Sequence, residues 1–511
     1  MGRSGAWHLI LWITLVSSLP LTGENDGATE DKDTVPPVTT LTEKPGSPTL
    51  ERTALFRFTA SEPVLRYECR LDDELWHRCT GEERYEVLSE GRHTFTVRAT
   101  DRAGNVEVKP VVFEWEIPYQ FVHVSTGYQH TCAVNAGGKP SCWGNNNAQQ
   151  LGVSERQESF YPVEPRNLVA WWRKVSAGRF HTCGIGGKDR ADQRLYCWGS
   201  NGSGQLGTGD ERSGFVPIEV AGGHNDWEQM TAGISNTCGI RTDGGKRTLY
   251  CWGENGAGQS GDPSYQRVLS PRPVADDLRG WRYVSGGFSH NCGLREDGGE
   301  KRVYCWGANG DGQLGDGSAE KRRVEPVEVS GGYVDWGSVS AGYYHTCGIR
   351  EEQGARRIYC WGSAGSGQLG TGDTARRTTP TPIAGDNDSW LSLTAGANHT
   401  CAIRQEGEGR AIYCWGDNRY GQSGLGRVDR VAVPQKVKSD YADWQQMSAG
   451  ETHTCAIREH KKRGILYCWG RNQFGQLGDG TDETRETPVE ITGMEQKKTS
   501  PSAKKTDSYP F

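Results

Sequence analysis

The composition of this chain describes a large, water-compatible protein that lacks the charge of a nucleic-acid binder. The 511 residues include 70 Gly and 18 Trp, and the mean hydropathy of -0.70 excludes a membrane-embedded protein. The formal net charge is only -6, with acidic and basic residues interspersed, whereas binding to a phosphate backbone requires a basic field. We therefore expect no nucleic-acid partner and no membrane insertion of the mature chain.

The chain begins with the layout of a secretory signal peptide. In residues 1–23, Arg3 precedes the apolar run WHLILWITLV, and small and polar residues follow it. The run is too short to span a bilayer, although a retained N-terminal anchor is the alternative to cleavage. Residues 24–50 are rich in Pro, Thr, Asp and Glu and predict a disordered linker, and residues 496–511 predict a disordered tail.

Residues 51–118 predict a small β-sandwich. Alternating runs such as HTFTVRA, residues 93–99, are typical of half-buried strands. The words YECRLD and GRHTFTVRATDRAGN resemble the immunoglobulin-like modules of secreted bacterial proteins. That resemblance implies an immunoglobulin-like domain that spaces or presents its neighbour rather than one that performs chemistry.

The region from 119 to 495 repeats one unit seven times. Each unit reads approximately VSAG-xx-HTCGI, then LYCWG-xN, then GQLG-xG, with a period of about 54 residues. The Cys-Trp-Gly words begin at Cys142, Cys197, Cys251, Cys305, Cys360, Cys414 and Cys468. The apolar stretches are short, β-rich and bounded by glycine, which indicates a small antiparallel sheet in each unit. Radial stacking of these sheets predicts an all-β fold with a seven-bladed β-propeller.

The recurring words resemble those of the regulator of chromosome condensation repeat family, whose units carry an AG-xx-H turn, a WG-xN strand end and a GQLG-xG turn. The resemblance covers residues 121–495. This sequence departs from the nuclear family by one added cysteine after HT and another before every WG. The resemblance implies a propeller that binds macromolecules: nuclear members act as nucleotide exchange factors for a small GTPase, and a secreted relative inhibits β-lactamases.

The 16 cysteines divide into pairs without remainder. Opposed residues of an antiparallel hairpin have a constant index sum, so a Cys238–Cys251 pair places Gly239 opposite Tyr250. The same register places small residues opposite large ones in the other repeats. The predicted disulfides are Cys69–Cys79, Cys132–Cys142, Cys183–Cys197, Cys238–Cys251, Cys292–Cys305, Cys347–Cys360, Cys401–Cys414 and Cys455–Cys468. We expect no free thiol.

These cysteines also predict the compartment. Metal binding by the same thiols is the alternative, and the lack of any C-x-x-C pair argues against it. Disulfides on this scale persist in an oxidising compartment. Together with the N-terminal segment, they predict a secreted or cell-surface protein.

The two ends of the repeat region predict how the ring closes. The first repeat opens with FVHVSTGYQHTC, and the segment ETPVEITG, residues 486–493, follows the last repeat. We expect this C-terminal strand to complete the first blade, which would remove open sheet edges. One aromatic position just before the SAG words predicts core between blades, and it is occupied by Phe121, Trp227, Trp281, Trp336, Trp390 and Trp444.

No motif in the repeats predicts catalysis, a cofactor or a metal site. Gly-x-Gly-x-x-Gly, for example from Gly202, returns with the blade period and lacks a βαβ unit, so it indicates a turn. The segment ANGDGQLGDGS is calcium-like in composition but lacks the ligand spacing of an EF-hand. One repeat position predicts structural bonding of the turn and holds His130, His181, Asn236, His290, His345, His399 and His453. We expect a protein that is not an enzyme.

Two residues between AG and HT vary from copy to copy on a constant framework. Variable tips on a rigid scaffold are typical of recognition surfaces, and aromatic residues and Arg are enriched at interface hot spots. The candidate partner-binding residues are Tyr128, Arg179, Phe180, Phe288, Tyr343 and Tyr344. Unselected turn residues on a rim are the alternative. Asn201, Asn387 and Asn398 fit the glycosylation pattern N-x-S/T.

The sequence therefore predicts a secreted or cell-surface propeller, expected as a monomer, that binds a protein through turn loops on one face. Two alternatives stay open. The family resemblance implies a guanine-nucleotide exchange factor-like regulator of a small GTPase, whose partner would lie on the other side of a membrane. A carbohydrate-binding propeller is the other, and it requires an aromatic platform beside acidic residues.

Overall fold

The computed structural model describes residues 33–493 except 155, 167–168, 276–277 and 386–387. The predicted signal peptide, the predicted tail and the sequon at Asn387 lie outside the described residues. Every regular element in the described part is a strand, and that part contains no helix able to span a membrane. The chain forms two units, which we describe separately: residues 33–47, 51–88 and 93–115 form the first, and residues 48–50, 89–92 and 116–493 form the second.

The first unit consists of two antiparallel sheets with a core between them. Its strands are β1 (Thr39–Glu43), β2 (Ala54–Ala60), β3 (Val64–Leu71), β4 (His77–Cys79), β5 (Glu82–Tyr85), β6 (Gly91–Asp101) and β7 (Val111–Ile117). The sheet orders are β1-β2-β5 and β4-β3-β6-β7. Phe56 of β2 stacks on Phe95 of β6 with ring centroids 3.9 Å apart, and Trp115 of β7 lies 5.3 Å from Phe56. The immunoglobulin-like identity of this unit stays a prediction.

Strand β1 corrects the prediction of a disordered linker over residues 24–50. Thr39 pairs with Ala60 of β2, and the Thr39 amide and hydroxyl donate to the Glu107 carboxylate at 2.8 and 2.7 Å. The low apolar content of this segment resembles that of a linker. Its threonines are β-branched, however, and such residues favour a strand once a sheet edge is available to pair with them.

The second unit contains, in its described part, seven four-stranded antiparallel sheets, which we number blades 1 to 7 in chain order. In each blade, strand a carries the SAG words, strand b begins at the His or Asn position, strand c carries CWG, and strand d is outermost. Blade 1 contains β8 (Phe121–Thr126), β9 (His130–Asn135), β10 (Pro140–Asn145) and β11 (Glu158–Val163). Blade 2 contains β12 (Trp171–Ala177), β13 (His181–Gly187), β14 (Arg194–Gly199) and β15 (Gly214–Glu219). Blade 3 contains β16 (Trp227–Ala232), β17 (Asn236–Asp243), β18 (Lys246–Gly253) and β19 (Val268–Pro273).

The remaining four blades have the same order of strands. Blade 4 contains β20 (Trp281–Gly286), β21 (His290–Asp297), β22 (Glu300–Ala308) and β23 (Arg322–Glu328). Blade 5 contains β24 (Trp336–Ala341), β25 (His345–Glu352), β26 (Ala355–Gly362) and β27 (Arg377–Pro382). Blade 6 contains β28 (Trp390–Ala395), β29 (His399–Glu406), β30 (Gly409–Asp417) and β31 (Arg430–Lys436). Blade 7 contains β32 (Trp444–Ala449), β33 (His453–His460), β34 (Arg463–Gly470) and β35 (Arg485–Glu490).

The predicted completion of the first blade by the C-terminal strand is wrong. Strand β35 pairs with β34 of its own blade, with Cys468 opposite Val489, and blade 1 has four strands of its own. An outer strand follows every CWG strand, so each repeat folds as one complete blade and no strand is left over. Blade 7 contacts blade 1 without sharing a strand: the Thr126 amide donates to Ser448 Oγ at 3.0 Å, and the Trp143 indole donates to the Gln476 carbonyl oxygen at 3.0 Å.

The eight expected cysteine pairs form disulfides. Within each blade the two cysteines lie directly opposite each other on strands b and c, with Cα atoms 4.1 Å apart. The predicted register holds, with Gly239 opposite Tyr250 in blade 3. None of the described cysteines is free.

The hydrophobic core lies between neighbouring blades. Trp336, which is 1% exposed, packs against Leu314 and the Cys292–Cys305 disulfide of blade 4 and against Trp361 of its own blade. The predicted core aromatics Phe121, Trp227, Trp281, Trp390 and Trp444 are buried as well. The repeat prediction of an inter-blade aromatic core is therefore confirmed.

A buried relay of hydrogen bonds ties each blade to the next. His345 Nε2 of blade 5 lies 2.9 Å from the hydroxyl of Thr400 in blade 6, and this hydroxyl donates to the Gln368 carbonyl oxygen at 2.9 Å. Because the hydroxyl proton is used on the carbonyl, the histidine donates from Nε2 and its Nδ1 carries no proton. Equivalent contacts join His130 to Thr182, His181 to Thr237, His290 to Thr346, His399 to Thr454 and His453 to Thr131.

One junction departs from this relay at both partners. Asn236 of blade 3 stands in the histidine position, and Asn291 of blade 4 stands in the threonine position. Asn236 Nδ2 donates to Asn291 Oδ1 at 3.2 Å, and Asn291 Nδ2 donates to the Gln259 carbonyl oxygen at 2.6 Å. The two exchanges compensate each other because Asn291 still supplies one acceptor and one donor.

We expect Asn236→His and Asn291→Thr to be coupled in a double-mutant cycle. Each single exchange mismatches the pair inside a buried site and is expected to lower the free energy of unfolding by about 1 to 2 kcal/mol. The double variant restores the His–Thr pair of the other junctions, with a coupling energy of about 1 kcal/mol or more. Urea unfolding of the parent and the three variants measures the cycle, and strictly additive effects would contradict the contact.

Candidate binding site at the ring axis

The turn between strands a and b holds the variable residues in place at the ring axis. A Cβ atom on Gly342 would lie 2.4 Å from His345 Cε1 and 2.5 Å from the Gly396 carbonyl oxygen of blade 6, so only glycine fits there. The Gly342 amide donates to the His345 carbonyl oxygen at 2.8 Å, which closes the turn around the two variable residues. The same turn recurs in the other blades, so variable side chains stand on a fixed backbone.

A cavity of about 90 Å³ lies where the seven turns meet, and we call it the axial cavity. Alanine and glycine backbone from every blade forms much of its wall. Its variable side chains are Tyr128, Ile234, Tyr343, Ala397 and Glu451. The cavity has room for a single side chain of a partner rather than for a folded segment.

Three of the six predicted partner-binding residues form one group beside this cavity. The Arg179 guanidinium carbon lies 4.7 Å from the ring centroid of Tyr128 and 4.8 Å from that of Phe180, within the range of cation–π attraction. Arg179 is half-buried, and its Nε has no hydrogen-bond partner among the described residues. The stacking holds a cation at the rim, where it can meet an acceptor on a partner.

The other three predicted residues form a purely aromatic group. The Phe288 ring lies 5.3 Å from Tyr343 and 5.4 Å from Tyr344. Tyr343 lines the axial cavity, whereas Tyr344 is 38% exposed. Tyr128 and Tyr343 thus line the axial cavity, and the other four predicted residues pack in two groups, one around each of these tyrosines.

Glu451 is a cavity residue that the candidate set omitted. Burial raises the pKa of Glu451 above its usual range, although the nearby Tyr128 hydroxyl and the charges of Arg471 and Arg179 oppose the shift. Burial, followed by the Glu451 charge, also raises the pKa of Tyr343. Glu451 occupies the same repeat position as Tyr128 and is the one acidic residue among the seven that occupy it, which was the available signal.

The side chain of one glycosylation candidate, Asn201, is engaged in hydrogen bonds within the fold. Asn201 is fully buried, and its Nδ2 donates to the carbonyl oxygens of Asp210 at 2.8 Å and Arg212 at 3.0 Å. The acceptor nitrogen is therefore committed to the turn. Asn398, by contrast, is half-exposed and lies in a variable position at the rim.

Two groups of described residues have ligand atoms close enough together to hold a metal ion, and both lie in the first unit. In one, Cys69 and Cys79 are disulfide-bonded and offer no thiolate. The other combines Asp33, Glu62 and Asp101. Asp101 already accepts hydrogen bonds from the Asn105 amide and side chain at 2.8 Å each.

Comparison with known proteins identifies the repeats. The family model described as regulator of chromosome condensation (RCC1) repeat matches residues 142–185, 192–240, 300–349, 357–403, 411–457 and 463–503. A second model of this repeat matches residues 121–150, 172–205, 281–313, 338–368, 390–422 and 444–476.

A plant receptor and a yeast protein are among the similar proteins. The ultraviolet-B receptor UVR8 of Arabidopsis thaliana is 29% identical over 74% of this chain and 83% of its own length. The structure of yeast RCC1 (Prp20) bound to Kap60 matches with a TM-score of 0.59 and 20% identity, covering 75% of this chain and 85% of that one. Prp20p of Saccharomyces cerevisiae matches in another structure with a TM-score of 0.58 and 21% identity, covering 75% and 88%. The solved structures support the propeller fold.

Proposed function

Because the chain belongs to the regulator of chromosome condensation (RCC1) repeat family, we propose that it is a secreted or cell-surface, non-enzymatic propeller that binds a protein partner at the axial cavity. Proteins of similar fold bind other proteins: Prp20 is bound to Kap60 in one structure, and Prp20p was characterised for binding to Gsp1p and histones. The proposal gives this chain the same kind of partner but leaves the partner's identity to experiment.

The grouping of the variable aromatic residues carries this proposal. Tyr128 and Phe180 flank the cation of Arg179, and Phe288 packs against Tyr343 and Tyr344, all on turns that a repeated glycine and histidine hold rigid. Rigid aromatic anchors around a shallow cavity supply apolar contact area at little cost in side-chain entropy. A protein loop that places one side chain in the cavity would cover both groups.

The disulfides support the proposed location. Every blade has one across its central strands, and all of these cysteines are fully buried. Their formation requires an oxidising compartment. The predicted signal peptide points the same way, and it lies outside the described residues.

We expect the triple variant Phe288→Ala, Tyr343→Ala and Tyr344→Ala to lose partner binding by about 100-fold or more, because hot-spot residues each contribute about 2 kcal/mol or more. Affinity capture with the secreted protein, followed by a titration of the captured protein, measures the loss. The matched control replaces three exposed aromatics elsewhere in the ring, Tyr161, Phe215 and Tyr265, by alanine. Equal binding by both folded variants would contradict the proposal.

The same capture separates the two alternatives. A carbohydrate-binding propeller would release its ligand when free sugar is added, and an exchange factor-like regulator would bind a small GTPase in the cytosol and carry reduced cysteines. We expect neither result. Denatured secreted protein should contain no thiol that reacts with an alkylating reagent, and it should elute as a monomer.

A further inference from the structure

The hairpin between strands b and c of blade 7 differs in charge from its counterparts. It reads His460-Lys461-Lys462-Arg463, and we call these residues the basic hairpin. In blades 3 to 6 the position of His460 holds an acidic residue, namely Asp243, Asp297, Glu352 and Glu406. Blade 7 thus has four basic side chains at positions where blades 3 to 6 together have one, Lys246.

Three of the four basic side chains of the basic hairpin have no ion-pair partner in the described part of the chain, although the exposed Glu459 directly precedes the hairpin. Lys461 and Lys462 are exposed and Arg463 is half-buried. In the described part of the chain, the ion pairs near this turn join Arg458 and His460 to Asp443, and the other three basic residues take part in none. Exposed, uncompensated cations on a protruding turn attract anions.

The backbone of this turn favours glycine, yet lysine occupies both central positions. The φ angles are 52° at Lys461 and 66° at Lys462. Blades 3 and 4 have Gly244-Gly245 and Gly298-Gly299 there, all with positive φ. A non-glycine residue in this left-handed region is strained, and strain that is kept at adjacent positions is typical of functional sites. Blade 5 has one such residue, Gln353 with a φ of 48°, whereas blade 7 has two in succession.

We propose that the basic hairpin binds a linear polyanion, specifically a sulfated polysaccharide. Closely spaced sulfate groups on a sugar chain match adjacent ammonium and guanidinium groups, and short runs rich in Lys and Arg form patches of the heparin-binding kind. The choice of a sulfated sugar over a nucleic acid rests on the proposed location outside the cell. Strand β33 begins at the axial turn with His453 and ends at this hairpin, so the two sites lie at opposite ends of the strand and are separate.

Calorimetric titration of the full chain with a heparin oligosaccharide and with its desulfated counterpart tests the proposal. Heparin is expected to bind, with an affinity that falls as salt is added. The desulfated sugar is not expected to bind. The variant Lys461→Asn with Lys462→Gly introduces the most favourable residues for this turn. It is expected to weaken heparin binding by about tenfold or more while raising Tm by about 2 to 4 °C.

The matched control is Lys188→Gln with Arg190→Gln, which removes two exposed positive charges from the corresponding hairpin of blade 2. It is expected to change heparin affinity by less than about twofold. Unchanged binding by the basic-hairpin variant would overturn the proposal, as would equal binding of the desulfated sugar or of single-stranded DNA of matched charge. Capture of a protein at the axial cavity is measured separately, so failure here leaves the proposed function standing.

Discussion

Replacing Trp361 by alanine is expected to lower the free energy of unfolding by about 3 to 5 kcal/mol. Trp361 is 0% exposed and packs between blades 4 and 5, with its ring centroid 5.7 Å from that of Trp336. Its indole donates to the Gln313 carbonyl oxygen of blade 4 at 2.9 Å. Removing the side chain therefore leaves a cavity at the junction and also takes away a hydrogen bond between blades.

Urea unfolding of the purified variant measures this effect, and Trp361→Phe is the matched control. Phenylalanine keeps an aromatic ring but has no N–H, and the Gln313 carbonyl still accepts from the Thr346 hydroxyl at 2.8 Å. We expect Trp361→Phe to cost about 1 to 2 kcal/mol. A loss below about 1 kcal/mol for Trp361→Ala would contradict the assignment of the core to the junctions between blades.

Acid is expected to weaken the ring from about pH 6.5 downwards. Burial lowers the pKa of the relay histidines, to about 3 for His130, His181, His290, His345 and His453 and to about 4 for His399. Between these values and the unfolded pKa of about 6.5, the unfolded chain binds protons that the folded chain does not. Their contribution to stability is therefore complete above about pH 6.5 and is lost as the pH falls, with a limiting slope of about 1.4 kcal/mol per pH unit for each histidine.

The control for this pH dependence copies the junction that already lacks histidine. The double variant His345→Asn with Thr400→Asn reproduces the Asn236–Asn291 pair. It should reduce the slope of stability against pH by the contribution of one histidine. Urea midpoints at several pH values between about 5 and 7 measure the slope. Burial raises the pKa of Glu451, so this carboxyl adds stability as the pH falls, which is the opposite of the effect of the histidines. It is one group against six histidines. A slope that the double variant leaves unchanged would contradict the relay as its source.

Much of the fold could be predicted from the repeat period and from the pairing of strands that are neighbours in the sequence. The period of the CWG words predicts repeated sheets, and the constant index sum of a hairpin predicts that Cys238 faces Cys251, because both depend on neighbouring strands. The sequence did not predict correctly which blade contains the C-terminal strand β35. Judged by sequence alone, this strand could form the outer edge of either blade 1 or blade 7. The pairing of Thr39 with Ala60 was missed for the same reason: a short polar strand becomes visible only beside its partner.

The candidate site was predictable in its members but not in its arrangement. Variation between AG and HT singles out Tyr128 and Tyr343 as residues on turns. Their meeting with Glu451 at one cavity depends on blade 7 closing against blade 1, which brings together residues that are far apart in the chain. The basic hairpin was not singled out, because its meaning depends on comparing the turn backbones of different blades.

Because each repeat forms one complete blade, the ring does not depend on which blade comes first in the chain. Trp143 and Thr126 join blade 7 to blade 1 with the same kinds of contact that operate between all other neighbours. The seam is thus one more equivalent joint. Consider a circularly permuted propeller, cut between any two blades and joined between the end of blade 7 and the start of blade 1. Its new termini would lie at an equivalent junction between blades, and no sheet would lose a strand.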